Sequence, residues 1–168
     1  MIDAPAIQFM QSDGNDRCVS KSLASALFAL GWHEKAQVID TFGDLILNGA
    51  VVDSMKRVKN KAREVLPPWI VISPINQTFD WKSDLRENEL VLGVLFASDN
   101  SCSHAVSIHG NYIYDANEPV ALPLTDEALD YCTSTETVKT SFICFKFGFR
   151  FFYEGQRQGR LLKMKLAT

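Results

Sequence analysis

A change of hydrophobic period near the middle of the chain confines this sequence to one fold class. Up to Leu66 the apolar residues recur at helical spacing, and beyond Pro67-Pro68 they alternate or run on continuously. Val19, Leu23, Ala26, Leu27 and Leu30 stand at i, i+4, i+7, i+8 and i+11, one face of a helix. Start signals at Asp13, Asn15 and Asp16 and a C-capping glycine at Gly31 predict that this helix begins close to Cys18 and stops at Gly31. A second helix is expected over 34–47, and a third over 54–66, ended by the two prolines. Strands are expected at 70–72, 90–97, 104–108, 112–115, 141–153 and 161–166, with a short helix at 124–132. In the fifth strand Phe145, Phe147, Phe149 and Phe151 fall on one side and Lys146, Gly148 and Arg150 on the other, and residues 154–159 form a loop leading into the sixth. Helices first and antiparallel strands after predict an α+β fold.

A chain of 168 residues fits one domain over 1–168 and is too short for two large ones. Its 46% hydrophobic and 22% charged content is that of a packed globule rather than a disordered chain. A net charge of −3 supplies no global attraction to nucleic acid, and neither a nucleic-acid nor an anionic-membrane partner is expected. Residues 1–13 lack the basic start and apolar run of a secretory signal, and no stretch has the roughly 20 apolar residues of a membrane span. A soluble cytoplasmic protein is therefore expected. Its four cysteines, Cys18, Cys102, Cys132 and Cys144, read as reduced thiols.

Cys18 is the first residue that can carry chemistry. A helix N-terminus presents unpaired N–H groups and the positive end of the dipole, which favour a thiolate and can hold an oxyanion. A second constellation lies in the segment from Ser103 to Asn117. Gly110-Asn111 between two alternating runs predicts a two-residue hairpin turn, and the turn sets the register. His109 then faces Tyr112, Ile108 faces Ile113, Val106 faces Asp115 and His104 faces Asn117. His104 thus stands at the open end of an aliphatic face, with Asn117 opposite and Asp115 diagonal, either able to reach one imidazole nitrogen. His109, at the turn on the other face, and His33 are assigned to structure or surface.

A cysteine early on a helix, a histidine late on a strand and an Asp or Asn one strand further is the chain order of papain-like cysteine peptidases, which this sequence resembles. The likeness is carried by Cys18 with its Ser/Ala-rich helix, by His104-Ala105-Val106 and by Tyr114-Asp115-Ala116-Asn117. The last two pieces resemble those of YopT-type effector peptidases, while the early Cys and compact length resemble Josephin-type deubiquitinases. Asp13-Gly14-Asn15 is similar to the Asp-Gly-Asn-Cys of OTU deubiquitinases, with two more residues before Cys18. The resemblance implies a papain-like fold, its nucleophile helix packed on a C-terminal antiparallel sheet. It also implies a thiol protease, cleaving peptide or isopeptide bonds without a cofactor. Cys18 would be the nucleophile, His104 the base and Asp115 or Asn117 its orienter, Asp115 preferred for its charge. Gln11, seven residues before Cys18, is the first candidate to complete the oxyanion hole, and Asn15 the second. The expected partner is a protein or peptide substrate, with ubiquitin and ubiquitin-like proteins among the candidates, in a cytoplasm or a host cytosol. An acyltransferase or transglutaminase-like enzyme on the same triad, and an inactive papain-like binding module, are the competing expectations.

Other chemistries fit less well. Cys102, His104, Cys132 and Cys144 include no second closely spaced pair of the kind that zinc sites use. Walker, Gly-x-Gly-x-x-Gly and Gly-x-Ser-x-Gly motifs are absent from the sequence. Lys56, Arg57, Lys59, Lys61 and Arg63, opposite Met55, Val58, Ala62 and Val65, read as the solvated face of the third helix.

Overall fold

A computed structural model of the chain describes residues 3–11, 17–45, 51–76, 78–96, 103–133 and 145–153. The order is α1 (Cys18–Ala29), α2 (His33–Gly43), α3 (Val51–Val65), β1 (Ile70–Pro74), the single turn α4 (Trp81–Asp84), β2 (Leu90–Phe96), β3 (Ser103–His109), β4 (Tyr112–Tyr114), β5 (Leu122–Pro123), α5 (Asp126–Thr133) and β6 (Phe145–Tyr153). This is an α+β fold. The strands form one antiparallel sheet in the order β1-β6-β2-β3-β4-β5, so β6 enters between β1 and β2. The strand expected at 161–166, the loop at 154–159 and the first part of the strand expected from 141 lie outside the described residues. None of the described helices is long and apolar enough to cross a membrane.

Helix α1 ends as its sequence requires. Gly31 takes φ 102°, and the Trp32 N–H reaches back to the Leu27 carbonyl at 2.9 Å, closing the left-handed glycine cap. The helix is buried on more than the single apolar face, because the sheet covers one side and α2 the other. Ser20, Ser22 and Ser25 are buried along with Val19, Leu23, Ala24, Ala26 and Leu27. Small residues permit this close approach: a Cβ on Gly43 of α2 would stand 1.9 Å from Ser20 Oγ. On α3, Met55, Val58 and Ala62 are buried while Lys56, Arg57 and Arg63 are exposed, the solvated face its charges predict.

The sheet is covered on both sides. Leu90, Leu92, Val94, Ala105, Phe149 and Phe151 face a core filled by Leu23, Leu27, Ile39, Met55 and Val58 from the first three helices. Val91, Leu95, Val106, Ile108 and Ile113 face a second core with Phe79, Leu129 of α5 and Phe145. Phe145 corrects the expectation that four phenylalanines share a face. Val94 pairs with Phe147 but Leu95 pairs with Phe145, so Lys146 is an extra residue and the bulge turns Phe145 to the opposite side. There its ring lies on Gly93, where a Cβ would come within 2.2 Å of Phe145 Cδ1. On that face Arg150 forms a buried-carboxylate ion pair with Glu89.

The β3–β4 hairpin has the register predicted from Gly110-Asn111. His109 pairs with Tyr112, Ile108 with Ile113 and Ser107 with Tyr114. The ladder then stops, short of the expected Val106–Asp115 and His104–Asn117 pairs. Asp115 opens a turn instead, its carbonyl accepting from the Glu118 N–H at 3.0 Å and its carboxylate from the Asn117 N–H at 3.0 Å.

Candidate active site

Cys18 is the first residue of α1 and is 8% exposed. Arg17 precedes it without a side-chain cap, and the first turn carries no acidic residue. The positive end of the helix is thus left for whatever stands beside Cys18. Charges nearby are paired elsewhere: Arg17 Nη1 is 2.7 Å from Asp44 and Lys21 Nζ 2.6 Å from Asp40, both acids of the α2 region.

His104, near the start of β3 and paired in register with Leu95, brings its imidazole to this helix end. Its Nε2 lies 2.7 Å from Asp115 Oδ1, and the two side chains are 13% and 3% exposed. The Cys18 thiol stands close enough to the same ring to act on its pKa. With Nε2 engaged by the carboxylate, Nδ1 is the nitrogen left for the sulfur. Burial alone would lower the His104 pKa, but hydrogen bonds to Asp115 and Cys18 and the negative charges of both reverse this and raise it to about 10. At neutral pH the ring is an imidazolium beside the Asp115 carboxylate.

Burial works against the Asp115 carboxylate as well. The His104 hydrogen bond and charge, the Asn117 N–H and the Cys132 thiol outweigh it and hold its pKa below the usual carboxylate value. Asn117 itself is exposed, and it contributes its backbone N–H to Asp115. Of the two orienter candidates, the carboxylate of Asp115 makes the contact with His104. The diagonal residue wins because the chain turns at Asp115 and carries Asn117 off the ladder.

Gln11 arrives by a route the sequence does not advertise. The N-terminal segment is laced to the chain after β4: Ile7 N–H to Pro119 O at 3.0 Å, Ala121 N–H to Pro5 O at 2.8 Å, and Gln11 N–H to Ala116 O at 2.8 Å. Ser25 of α1 fastens the same segment by accepting from the Phe9 N–H at 3.1 Å and donating to the Phe9 carbonyl at 3.3 Å. Gln11 Oε1 accepts from the Arg17 N–H at 3.0 Å, which leaves the NH2 end of its carboxamide as the donor. Gln11 therefore bridges the Asp115 turn and the N-terminus of α1. Asn15, the other oxyanion candidate, lies outside the described residues, as do Cys102 and Cys144.

The remaining histidines stand apart. His109 Nδ1 meets the Glu89 carbonyl at 2.9 Å, at the far end of β3, and His33 stacks on Phe28 with ring centroids 4.1 Å apart. Among the described residues, no group of three His, Cys, Asp or Glu side chains is placed to hold a metal ion. Comparison of the chain with protein-family models, curated proteins and solved structures finds no match in any of the three.

Proposed function

We propose that this protein is a papain-like cysteine hydrolase that cleaves peptide or isopeptide bonds. The observation that carries the proposal is the grouping of Cys18, His104 and Asp115, with the imidazole held 2.7 Å from the carboxylate and the thiol at the start of a helix close enough to raise the His104 pKa. A purely structural histidine gains nothing from a cysteine at an uncapped helix end, whereas a thiolate–imidazolium pair needs both.

In the reaction the Cys18 sulfur bonds to the substrate carbonyl carbon and the carbonyl oxygen becomes an oxyanion. The Cys18 N–H and the carboxamide NH2 of Gln11 stabilise that charge. The proton of His104 passes to the leaving amine as the C–N bond breaks, and a thioester remains. A water then gives a proton to His104 while its oxygen bonds to the acyl carbon, and the C–S bond breaks to release the acid and restore the thiolate. Asp115 keeps the Nε2–H in place throughout, so the same tautomer serves both halves.

The test is a panel of ubiquitin and ubiquitin-like proteins bearing C-terminal electrophiles, together with a peptide library. At least one probe should form a covalent adduct on Cys18, absent from Cys18→Ala, and the reacting probe names the substrate class. If no probe or peptide electrophile modifies Cys18 in the folded protein, the site is that of a binding module and the hydrolase proposal fails.

A further inference from the structure

We propose that Ser25 is a positioning residue: its hydroxyl fixes the N-terminal segment at Phe9 and so sets where the Gln11 carboxamide stands beside Cys18. The inference rests on the hydrolase reading of the site, in which that carboxamide is an oxyanion donor. Ser25 follows Cys18 by seven residues, about two turns at ~3.6 residues per turn, and so lies on the same side of α1 as the nucleophile. Of the three buried serines of this helix, two turn back on it: Ser22 Oγ donates to the Val19 carbonyl at 3.2 Å and Ser20 Oγ to the Arg17 carbonyl at 3.5 Å. Ser25 reaches outward instead. Its Oγ accepts from the Phe9 N–H at 3.1 Å and donates to the Phe9 carbonyl at 3.3 Å, so one hydroxyl takes both main-chain groups of a residue that belongs to no helix or strand.

Two residues beyond Phe9, Gln11 is tied at both its main chain and its side chain. Its N–H donates to the Ala116 carbonyl at 2.8 Å, and its Oε1 accepts from the Arg17 N–H at 3.0 Å. The Ala116 contact fastens the segment to the turn that carries Asp115, while Ser25 fastens it to the helix that carries Cys18. The segment is thereby held in register against both halves of the site. That register matters, because an oxyanion donor acts only at ~2.7–3.1 Å from the developing charge, and a misplacement of ~1 Å can cost on the order of 10²-fold. The Phe9 ring also meets α1, edge to face on Phe28 with centroids 5.8 Å apart, but a ring contact of this kind tolerates sliding. Without the Ser25 hydroxyl, apolar contact would keep the segment near α1 and leave its register loose.

The experiment compares Ser25→Ala with the native full chain and with Ser22→Ala, which removes an equally buried hydroxyl whose hydrogen bond stays within α1. Without substrate, hydrogen exchange of the Arg17 amide reports whether Gln11 Oε1 is in place, and Ser25→Ala should speed it by ~10-fold while Ser22→Ala leaves it near the native rate. With p-nitrophenyl acetate the Cys18 sulfur bonds to the carbonyl carbon, the oxygen becomes an oxyanion, and p-nitrophenolate leaves as the C–O bond breaks. Acetylation of Cys18 should slow by ~10-fold in Ser25→Ala, and no further when Ser25→Ala is added to Gln11→Ala. Iodoacetamide, attacked at a saturated carbon with loss of iodide and no oxyanion, should alkylate Cys18 at the native rate in each variant. If Ser25→Ala loses its fold, Ser25→Cys, with only a weak donor and acceptor, replaces it in the comparison. The proposal is overturned if Arg17 exchange is native-like in the variant lacking the hydroxyl, or if acetylation falls as far in Ser22→Ala or only in step with alkylation. A native Cys18 that takes iodoacetamide and no acyl probe fails the hydrolase reading instead, and the exchange measurement still decides the role of Ser25.

Discussion

Replacing His104 with alanine should lower turnover by ~10²–10⁴-fold, the range typical of losing a general acid–base group, while His109→Ala stays close to the native rate. The two residues lie five apart on β3, about 17 Å along the strand at ~3.4 Å per residue. His104 holds the Asp115 carboxylate on one nitrogen, and the nearby Cys18 thiol helps to raise its pKa. His109 holds the Glu89 backbone carbonyl, a contact in the ordinary ~0.5–1.5 kcal/mol range of a hydrogen bond, so its loss belongs to stability rather than rate. Steady-state kinetics on the substrate class found by probe labelling, with circular dichroism to confirm folding, checks both variants. An inactive, folded His109→Ala beside an active His104→Ala would place the chemistry at the wrong end of the strand.

Asp115→Asn should cost on the order of 10²-fold in rate, whereas Asn117→Ala should stay within about threefold, because Asn117 acts through a backbone N–H that alanine also has. The pH dependence has a definite sign. Asp115 helps to raise the His104 pKa to about 10, so removing its charge lowers that value. The alkaline limb of the native pH–rate profile, where the imidazolium is lost, should therefore retreat toward neutrality in Asp115→Asn. Stability follows the same linkage. The His104 contribution is complete below the ordinary histidine value of 6.5 and fades as pH rises toward about 10. The Asp115 contribution is present above its ordinary value of 3.8 and fades as pH falls through its lowered one. Urea unfolding across this range should show both losses weakened in Asp115→Asn. A severe defect in Asn117→Ala with near-normal Asp115→Asn would transfer the orienting role to Asn117.

Local signals carried a large part of the fold. The change of period, the glycine after α1 and the Gly-Asn turn each act over a few residues, and each has its expected structural counterpart. Long-range effects account for the differences. A bulge at Lys146 is invisible to a strict period of 2, yet it sends Phe145 to the other core. The hairpin ladder extrapolates past Tyr114 only if the chain stays extended, and the Asp115 turn ends it. Burial of Ser20 depends on Gly43 of α2 and that of Ser25 on the N-terminal segment at Phe9, which no pattern within α1 can report. At the site, Cys18 and His104 were legible from residue type, helix position and hairpin register, whereas the register set Asn117 opposite His104 and Asp115 was preferred for its charge and by the resemblance. Gln11 was a candidate by spacing alone, and the backbone lacing that delivers it is a tertiary fact.

The thiolate–imidazolium pair proposed for Cys18 and His104 is tested most directly by iodoacetamide alkylation near pH 6, read out by peptide mass mapping on the native protein and on His104→Ala. An ordinary thiol, with a pKa of about 8.5, is almost wholly protonated and slow at that pH. Cys132, pushed further up by burial and by Asp115, should be slower still. The account predicts that Cys18 is labelled before Cys102, Cys132 and Cys144 at pH 6, and that this preference disappears when His104 is replaced. Preferential labelling of any other cysteine, or a Cys18 rate at pH 6 that is the same with and without His104, would contradict it.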